Sequence, residues 1–260
     1  MFSAFALYAM LLASDSLKVS IPIGDTDGIR NPHLCAEKIN DGHGDLLTSK
    51  VMLRGKCEGN GQSASITQKG NRNALQFLSV GESLRSKVSR TELALTSLNL
   101  EFEKPIAITF DLMIPSSADV TNGFYYLMQF WQCSPLSPLG GIRVVRGSSH
   151  KINFMTRGDE NEVGSSFYSV ELKPGEWTTF ELRLNVSPED ETSYFEVWSE
   201  GVLVGRRTGP FGFSSKFSCK GNSKAPEHFR LKFGIYKEYE DGKSFEALFD
   251  NIQLLVSPSK

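Results

Sequence analysis

The sequence predicts an all-β protein, folded as a single β-sandwich of jelly-roll type. Three observations predict it. Short segments alternate apolar and polar residues with a period of two, the signature of half-buried strands. Glycines (23) and prolines (11) recur along the chain and divide it into many short elements. No stretch carries a long period of 3.6 with helix caps at its ends, and 189–192 fits one helical turn at most. Many short strands with frequent turns read as a sandwich or jelly roll. The 260-residue length fits one such domain, since all-β sandwiches of about 200–250 residues commonly stand alone.

The chain begins with residues 1–13, apolar almost throughout. This run is shorter than the roughly 20 residues a membrane-spanning helix needs. Small residues follow at Ala13, Ser14 and Ser16, so the segment reads as a secretory signal, although no Lys or Arg precedes it. Residues 1–16 are assigned to the signal and 17–260 to one domain, which makes the protein secreted and extracellular. No later stretch is apolar enough to cross a membrane. Cys35, Cys57, Cys133 and Cys219 fit an oxidising compartment, and four cysteines allow three connectivities. The pairing Cys35–Cys57 with Cys133–Cys219 is favoured on sequence proximity of the first pair. No Cys-x-x-Cys occurs, which removes the usual zinc and thioredoxin-like patterns. His33 and His43 have no metal-spaced partner and read as loop residues.

Strands are predicted at 88–95, 106–114, 124–132, 142–146, 151–156, 167–172, 180–186, 229–236 and 247–255. Two more, 194–198 and 202–206, flank Glu200-Gly201, a tight hairpin signal. Asn185-Val186-Ser187 matches a glycosylation acceptor but is followed by Pro188. Arg157-Gly158-Asp159 reads as a charged turn rather than an adhesion tripeptide. With 28 Lys+Arg against 30 Asp+Glu the net charge is -2, without the basic excess that phosphate tracking requires, so a nucleic-acid binder is disfavoured.

Residues two apart on a strand share a face. At 229–236, Phe229, Leu231, Phe233 and Ile235 face the core, which puts Arg230, Lys232, Gly234 and Tyr236 on the opposite face. Gly234 there would leave room for a ligand to approach the backbone. On 88–95, Arg90 and Glu92 share a face. On 124–132, Gln129 and Trp131 share one with Tyr125 and Leu127. An ordinary solvated sheet face explains any one of these strands; the three together point to a polar groove lined with aromatic residues.

The same segments resemble a known family. Lys232-Phe233-Gly234-Ile235-Tyr236 resembles the Lys-x-Gly-x-Tyr strand of the jelly-roll polysaccharide lyases: alginate lyases, glucuronan lyases and heparin lyase I-like proteins, of concanavalin-like fold. Arg90-Thr91-Glu92-Leu93 is similar to their Arg-x-Glu-Leu strand. Gln129-Phe130-Trp131 stands where they carry Gln-x-His. The segment 177–201, ending Val197-Trp198-Ser199-Glu200-Gly201, is similar to one of their hairpins, and Asp250-Asn251-Ile252 resembles their closing strand. The resemblance runs from about Arg90 to Leu255 in the family's order.

The resemblance implies an extracellular lyase that cleaves a uronate-containing, acidic polysaccharide by β-elimination. No membrane or nucleic-acid partner is implied, and a monomer is expected. Such an enzyme neutralises the substrate carboxylate, removes the proton on carbon 5 and protonates the leaving oxygen. Arg90 and Gln129 suit the first task as donors to a carboxylate. Tyr236 suits proton transfer. Lys232, four residues earlier on the same face, supplies positive charge where charge develops on the phenol. The catalytic candidates are thus Tyr236, Lys232, Arg90 and Gln129; the substrate-binding candidates are Trp131, Glu92, Arg230 and Tyr125, with Glu92 orienting Arg90. No cofactor is required. A structural calcium would draw on Asp25, Asp27 and Asp250.

Trp131 departs from the family pattern, because an indole cannot accept a proton. It offers a flat face to a sugar, so a non-catalytic carbohydrate-binding protein on the same scaffold is the alternative reading. His43, His150 and His228 are the remaining sources of an imidazole. A glycoside hydrolase ranks last, because no close acidic cluster is evident.

Overall fold

The computed structural model describes residues 17–20, 53–58, 62–80, 88–96, 98–119, 125–158, 164–238 and 244–257. The segment 1–16 and residues Asp25, Asp27, His33, Cys35 and His43 lie outside them. Among the described residues there is no helix. In chain order the strands are β1 (Leu17–Ser20), β2 (Leu53–Glu58), β3 (Gln62–Lys69), β4 (Arg72–Ser79), β5 (Val88–Leu95), β6 (Leu100–Glu101), β7 (Ile106–Met113) and β8 (Tyr125–Trp131). They continue as β9 (Gly140–Val144), β10 (Lys151–Thr156), β11 (Ser165–Glu171), β12 (Thr178–Asn185), β13 (Tyr194–Ser199), β14 (Val202–Thr208), β15 (His228–Glu238) and β16 (Phe245–Val256). Every strand read from alternation is present, as β5 and β7 to β16. Residues 189–192 form a bend and turn instead of a helical turn.

Two antiparallel sheets of eight strands pack as a sandwich. The first runs β14-β13-β12-β7-β16-β4-β3, with β1 added on β16; the second runs β11-β10-β9-β8-β15-β5-β2, with β6 added on β15. Aromatic rings join the two inner faces. Phe77 of β4 meets Phe233 of β15 with centroids 6.0 Å apart, Phe130 of β8 meets Phe195 of β13 at 5.5 Å, and Phe154 of β10 meets Phe180 of β12 at 5.6 Å. Such tilted and edge-on contacts add about 0.5–1.5 kcal/mol each beyond the area they bury. The hairpin between β13 and β14 turns through Glu200 (φ 49°) and Gly201 (φ 77°), the paired positive φ values that the tightest hairpins need.

The core residues of β15 alternate as the sequence predicts: Phe229, Leu231, Phe233 and Ile235 are at most 1% exposed. Two irregularities break the period elsewhere. Leu127 is an extra residue of β8 relative to β9, with Tyr126 opposite Arg143 and Met128 opposite Ile142. Across the β15–β8 pairing, Phe233 opposes Met128 and Tyr236 opposes Tyr126, so two residues of β15 face one of β8. A bulge of this kind changes which face later side chains occupy.

Gly234 lies at this irregularity with φ 128°. A Cβ there would fall 2.3 Å from the Thr91 carbonyl oxygen and 2.9 Å from the Phe77 ring. Its bareness serves the packing of β15 on β5 and on the core, which corrects the expectation of an opening for ligand. The acceptor-like triplet at Asn185 is also structural. Ser187 is 1% exposed, and its Oγ accepts from the Glu189 and Asp190 backbone N–H groups. Gly234→Ala is expected to destabilise the fold by about 1–3 kcal/mol, as overpacking does, read as a lower denaturant midpoint at unchanged slope.

Candidate functional site

The outer face of the second sheet carries a groove of about 710 Å³. Arg90 comes from β5, Tyr126, Gln129 and Trp131 from β8, Arg143 from β9, and Lys232 and Tyr236 from β15. Arg157, just past β10, also lines it, and the segment 134–138 after β8 forms one wall. That wall is tied down at Cys133, whose disulfide to Cys219 is present, and by the Lys220 N–H, which donates to the Ser134 carbonyl at 2.6 Å.

Strand pairing explains the convergence. Tyr236 stands opposite Arg90 on one side and opposite Tyr126 on the other, and Lys232 stands opposite Gln129. The Arg90 guanidinium lies over the Tyr236 ring, 4.8 Å from its centroid. Glu92 is 4% exposed beneath this row. Its carboxylate accepts a hydrogen bond from Gln129 Nε2 and holds Arg90 Nε at 3.4 Å. Glu92 thus orients the two donors from below and does not line the groove. The Lys232 ammonium lies 3.8 Å from the Trp131 ring centroid. The cation stacked on Tyr236 is therefore Arg90, while Lys232 occupies the indole face.

Tyr125 is 1% exposed, packed in the core on Phe245 at 5.3 Å, and is not a groove residue. Counting back by twos from Gln129 reaches Tyr125; the extra residue Leu127 moves the groove position to Tyr126. Tyr126 packs on Tyr236 at 6.3 Å, with Arg143 at 5.9 Å on its ring. Arg230 continues the Lys232 row but lies beyond the groove, with Nε 3.4 Å from Asn99 Oδ1. Neither described histidine lines the groove. The His150 Nε2 is 2.9 Å from the Pro115 carbonyl oxygen. Burial and the Arg230 guanidinium push the His228 imidazole below its usual value, against the pull of Glu101.

Arg143 and Arg157 were not among the sequence candidates. Arg143 could have been found by parity, because Ile142 and Val144 face inward on its strand. Arg157 is 6% exposed and reaches the groove through the chain path after β10, which no local pattern encodes. The described lining residues thus bring four cations together, with no carboxylate among them. The charge of such a surface is complementary to an anion.

The family model described as "Polysaccharide lyase" matches residues 36–253. The chain belongs to the polysaccharide lyase family. Its fold is similar to that of endo-β-1,4-glucuronan lyase from the fungus Trichoderma reesei, at TM-score 0.59 and 13% identity, covering 77% of this chain and 89% of that one. It is also similar to alginate lyase AlgAT5 of polysaccharide lyase family 7, at TM-score 0.53 and 15% identity, covering 93% and 94%. Alginate lyase vAL-1 from Chlorella virus matches at TM-score 0.50 and 13% identity, covering 77% and 92%. No curated protein sequence matches.

No group of three or more His, Cys, Asp or Glu is gathered for a metal ion among the described residues. Asp250, the described member of the calcium candidates, is on the first sheet, away from the groove. Its Oδ1 accepts from the Asn251 N–H at 2.7 Å, and its Oδ2 lies 3.9 Å from Arg72 Nη1. Burial pushes its carboxyl above the usual range, opposed by the Asn251 N–H; Asp111 pushes it further up and Arg72 pulls it down. A raised folded value means that the protonated form stabilises the fold at low pH and that this contribution is lost as pH rises. Asp250→Asn keeps the Oδ1 acceptor without the charge. It is expected to raise the thermal midpoint at neutral pH, with the gain vanishing below about pH 4, where the unfolded carboxyl also protonates.

Proposed function

We propose that the protein is a secreted lyase that cleaves a uronate-containing polysaccharide by β-elimination. The observation that carries the reading is the convergence of Arg90, Gln129, Lys232 and Tyr236 on one groove, with Arg143 and Arg157 beside them. A polyanion is drawn to this local field, and its carboxylate takes donors from Arg90 and Gln129, both held from below by Glu92. Pairing the carboxylate with a guanidinium stabilises the enolate-like charge that develops when the carbon 5 proton leaves. Tyr236, under the Arg90 guanidinium, is the proton-transfer group. The Cys133–Cys219 disulfide supports an oxidising, extracellular setting. A hydrolase would need two carboxylates about 5–5.5 or 6.5–9.5 Å apart across the groove, and the described lining supplies neither.

A second reading, a binder without activity, is favoured by Trp131 in the place that the resemblance gives to histidine. One assay separates the two: incubation with uronate polymers, followed by ultraviolet absorbance of the unsaturated product. Absorbance supports the lyase; polymer binding without it supports the binder.

Tyr236→Phe deletes only the hydroxyl. It is expected to abolish product formation while thermal midpoint and polymer affinity stay near the parent values. Arg90→Ala acts on both binding and turnover. Its kcat/KM is expected to fall by about 10- to 100-fold, in line with the roughly 1.5–3 kcal/mol of a charge-assisted hydrogen bond.

A further inference from the structure

The connection between β14 and β15 carries charge of one sign. Residues 201–226 hold Arg206, Arg207, Lys216, Lys220 and Lys224 and no Asp or Glu, in a chain of net charge -2. Solvation of a loop requires polar residues, but it does not require a single sign, and ordinary surfaces intersperse both. The loop is also firmly built. Phe211, Phe213, Cys219 and Ala225 are at most 7% exposed. Phe213 meets Phe217 edge-on with centroids 5.2 Å apart, and the Ala225 N–H donates to the Phe217 carbonyl at 2.7 Å. Among these anchors Lys216, Lys220 and Lys224 are exposed.

The same loop is fastened to the groove. Cys219 is bonded to Cys133, two residues past Trp131. The Lys220 N–H donates to the carbonyl of Ser134, and the Gly212 N–H donates to that of Arg157 at 2.9 Å; Ser134 and Arg157 both line the groove. Gln132, 4% exposed, closes the joint. Its Nε2 donates to the Phe213 and Pro226 carbonyls at 2.7 and 2.6 Å, and its Oε1 accepts from the Phe213 N–H at 3.1 Å. The loop then runs directly into β15, where Arg230 stands opposite Trp131 and Lys232 opposite Gln129. The outward cations of β15 thus lead from the loop to the groove.

We propose that Lys216, Lys220 and Lys224 form a second contact for the acidic polysaccharide, where the polymer continues past the Trp131 end of the groove. The proposal rests on the uronate-polymer reading above. A polymer held at Arg90 carries further carboxylates on the sugars that extend beyond the groove, and a fixed row of ammonium groups attracts them. Glu101, Glu103, Glu189 and Glu227 line a separate cavity of about 430 Å³ with Ser214 and Ser215 at the foot of the loop, a side that repels the same polymer. Exposed ion pairs are individually weak and are screened by salt. The contact therefore adds affinity for long chains and leaves the chemical step alone. An oligosaccharide confined to the groove gains nothing from it.

The test compares the parent with a triple variant, Lys216→Gln with Lys220→Gln and Lys224→Gln, and with the matching triple of Lys→Arg. Polyglucuronate and alginate are the probes, and their trisaccharides the controls. Binding is read by calorimetry in the Tyr236→Phe background, where the polymer stays intact; turnover is read with Tyr236 in place. For the polymer that binds more tightly, the glutamine triple is expected to weaken binding by about 3- to 30-fold at low salt, the combined effect of three exposed ion pairs. That loss should shrink as salt approaches about 1 M, where the screening length is about 3 Å. The arginine triple should stay within about twofold of the parent, and trisaccharide affinity, kcat and thermal midpoint should not change. Unchanged polymer affinity in the glutamine triple, an equal loss in the arginine triple, or an equal loss on the trisaccharide overturns this inference and leaves the lyase reading standing. Lysine-dependent binding without unsaturated product overturns the lyase reading and leaves this inference standing. Failure of the parent to bind either polymer overturns this inference.

Discussion

The period-two parity of β15 is the constraint on which the molecule depends. Phe229, Leu231, Phe233 and Ile235 are at most 1% exposed, and each buried side chain of this size contributes about 1.5–3 kcal/mol. A one-residue slip would turn this row to solvent and drive Lys232 and Tyr236 into the aromatic layer between the sheets. The register is therefore fixed from inside, by packing that has no part in chemistry. Because β15 lies between β5 and β8, the same register brings Tyr236 opposite both Arg90 and Tyr126, and Lys232 opposite Gln129. The groove is the outward consequence of the core.

Local charge, not the sum, matters to its ligand. The chain carries a net charge of -2, which argues against a broad basic surface. The described groove nevertheless gathers Arg90, Arg143, Arg157 and Lys232. Four cations side by side repel one another, and the buried Glu92 relieves part of that cost where Arg90 and Gln129 meet. Aromatic faces carry more of it: Tyr236 under Arg90, Tyr126 under Arg143 and Trp131 under Lys232. Each such contact is worth about 0.5–2 kcal/mol. The interleaving of rings and cations is thus an electrostatic arrangement as much as a surface for sugar stacking.

The sequence was legible where side chains alternate cleanly. β5, β7 and the run from β8 to β16 could be read because their inward residues are large and their outward ones polar. β3 and β4 could not. Gln62–Lys69 carries small polar residues, and Arg72–Ser79 buries Ala74 and Leu75 side by side, so neither shows a period. The groove was legible where a motif and a parity argument coincided, at Arg90, Gln129, Trp131, Lys232 and Tyr236, with Glu92 lying beneath them rather than in the lining. It failed by one residue at Tyr125, because a bulge leaves no mark in a run of consecutive apolar residues such as Tyr125 to Met128. Arg143 needed strand order as well as parity. Arg157 needed the path of the chain beyond β10, which only the assembled sandwich defines.

Separation of core from groove also explains how chemistry can change at position 131 without disturbing the fold. Trp131 is the outward residue paired with Arg230, and its inward neighbour Phe130 makes the contacts to Phe195 and Phe229. An outward substitution therefore leaves the packed layer as it was. What it alters is the company of Lys232. An imidazole in that place would add a proton acceptor to the groove; the indole instead adds a face on which an ammonium rests. The same backbone then presents a fixed cation where it would have presented a base. Relative to an imidazole the groove loses a proton acceptor at this position, while the positive charge along its floor is kept.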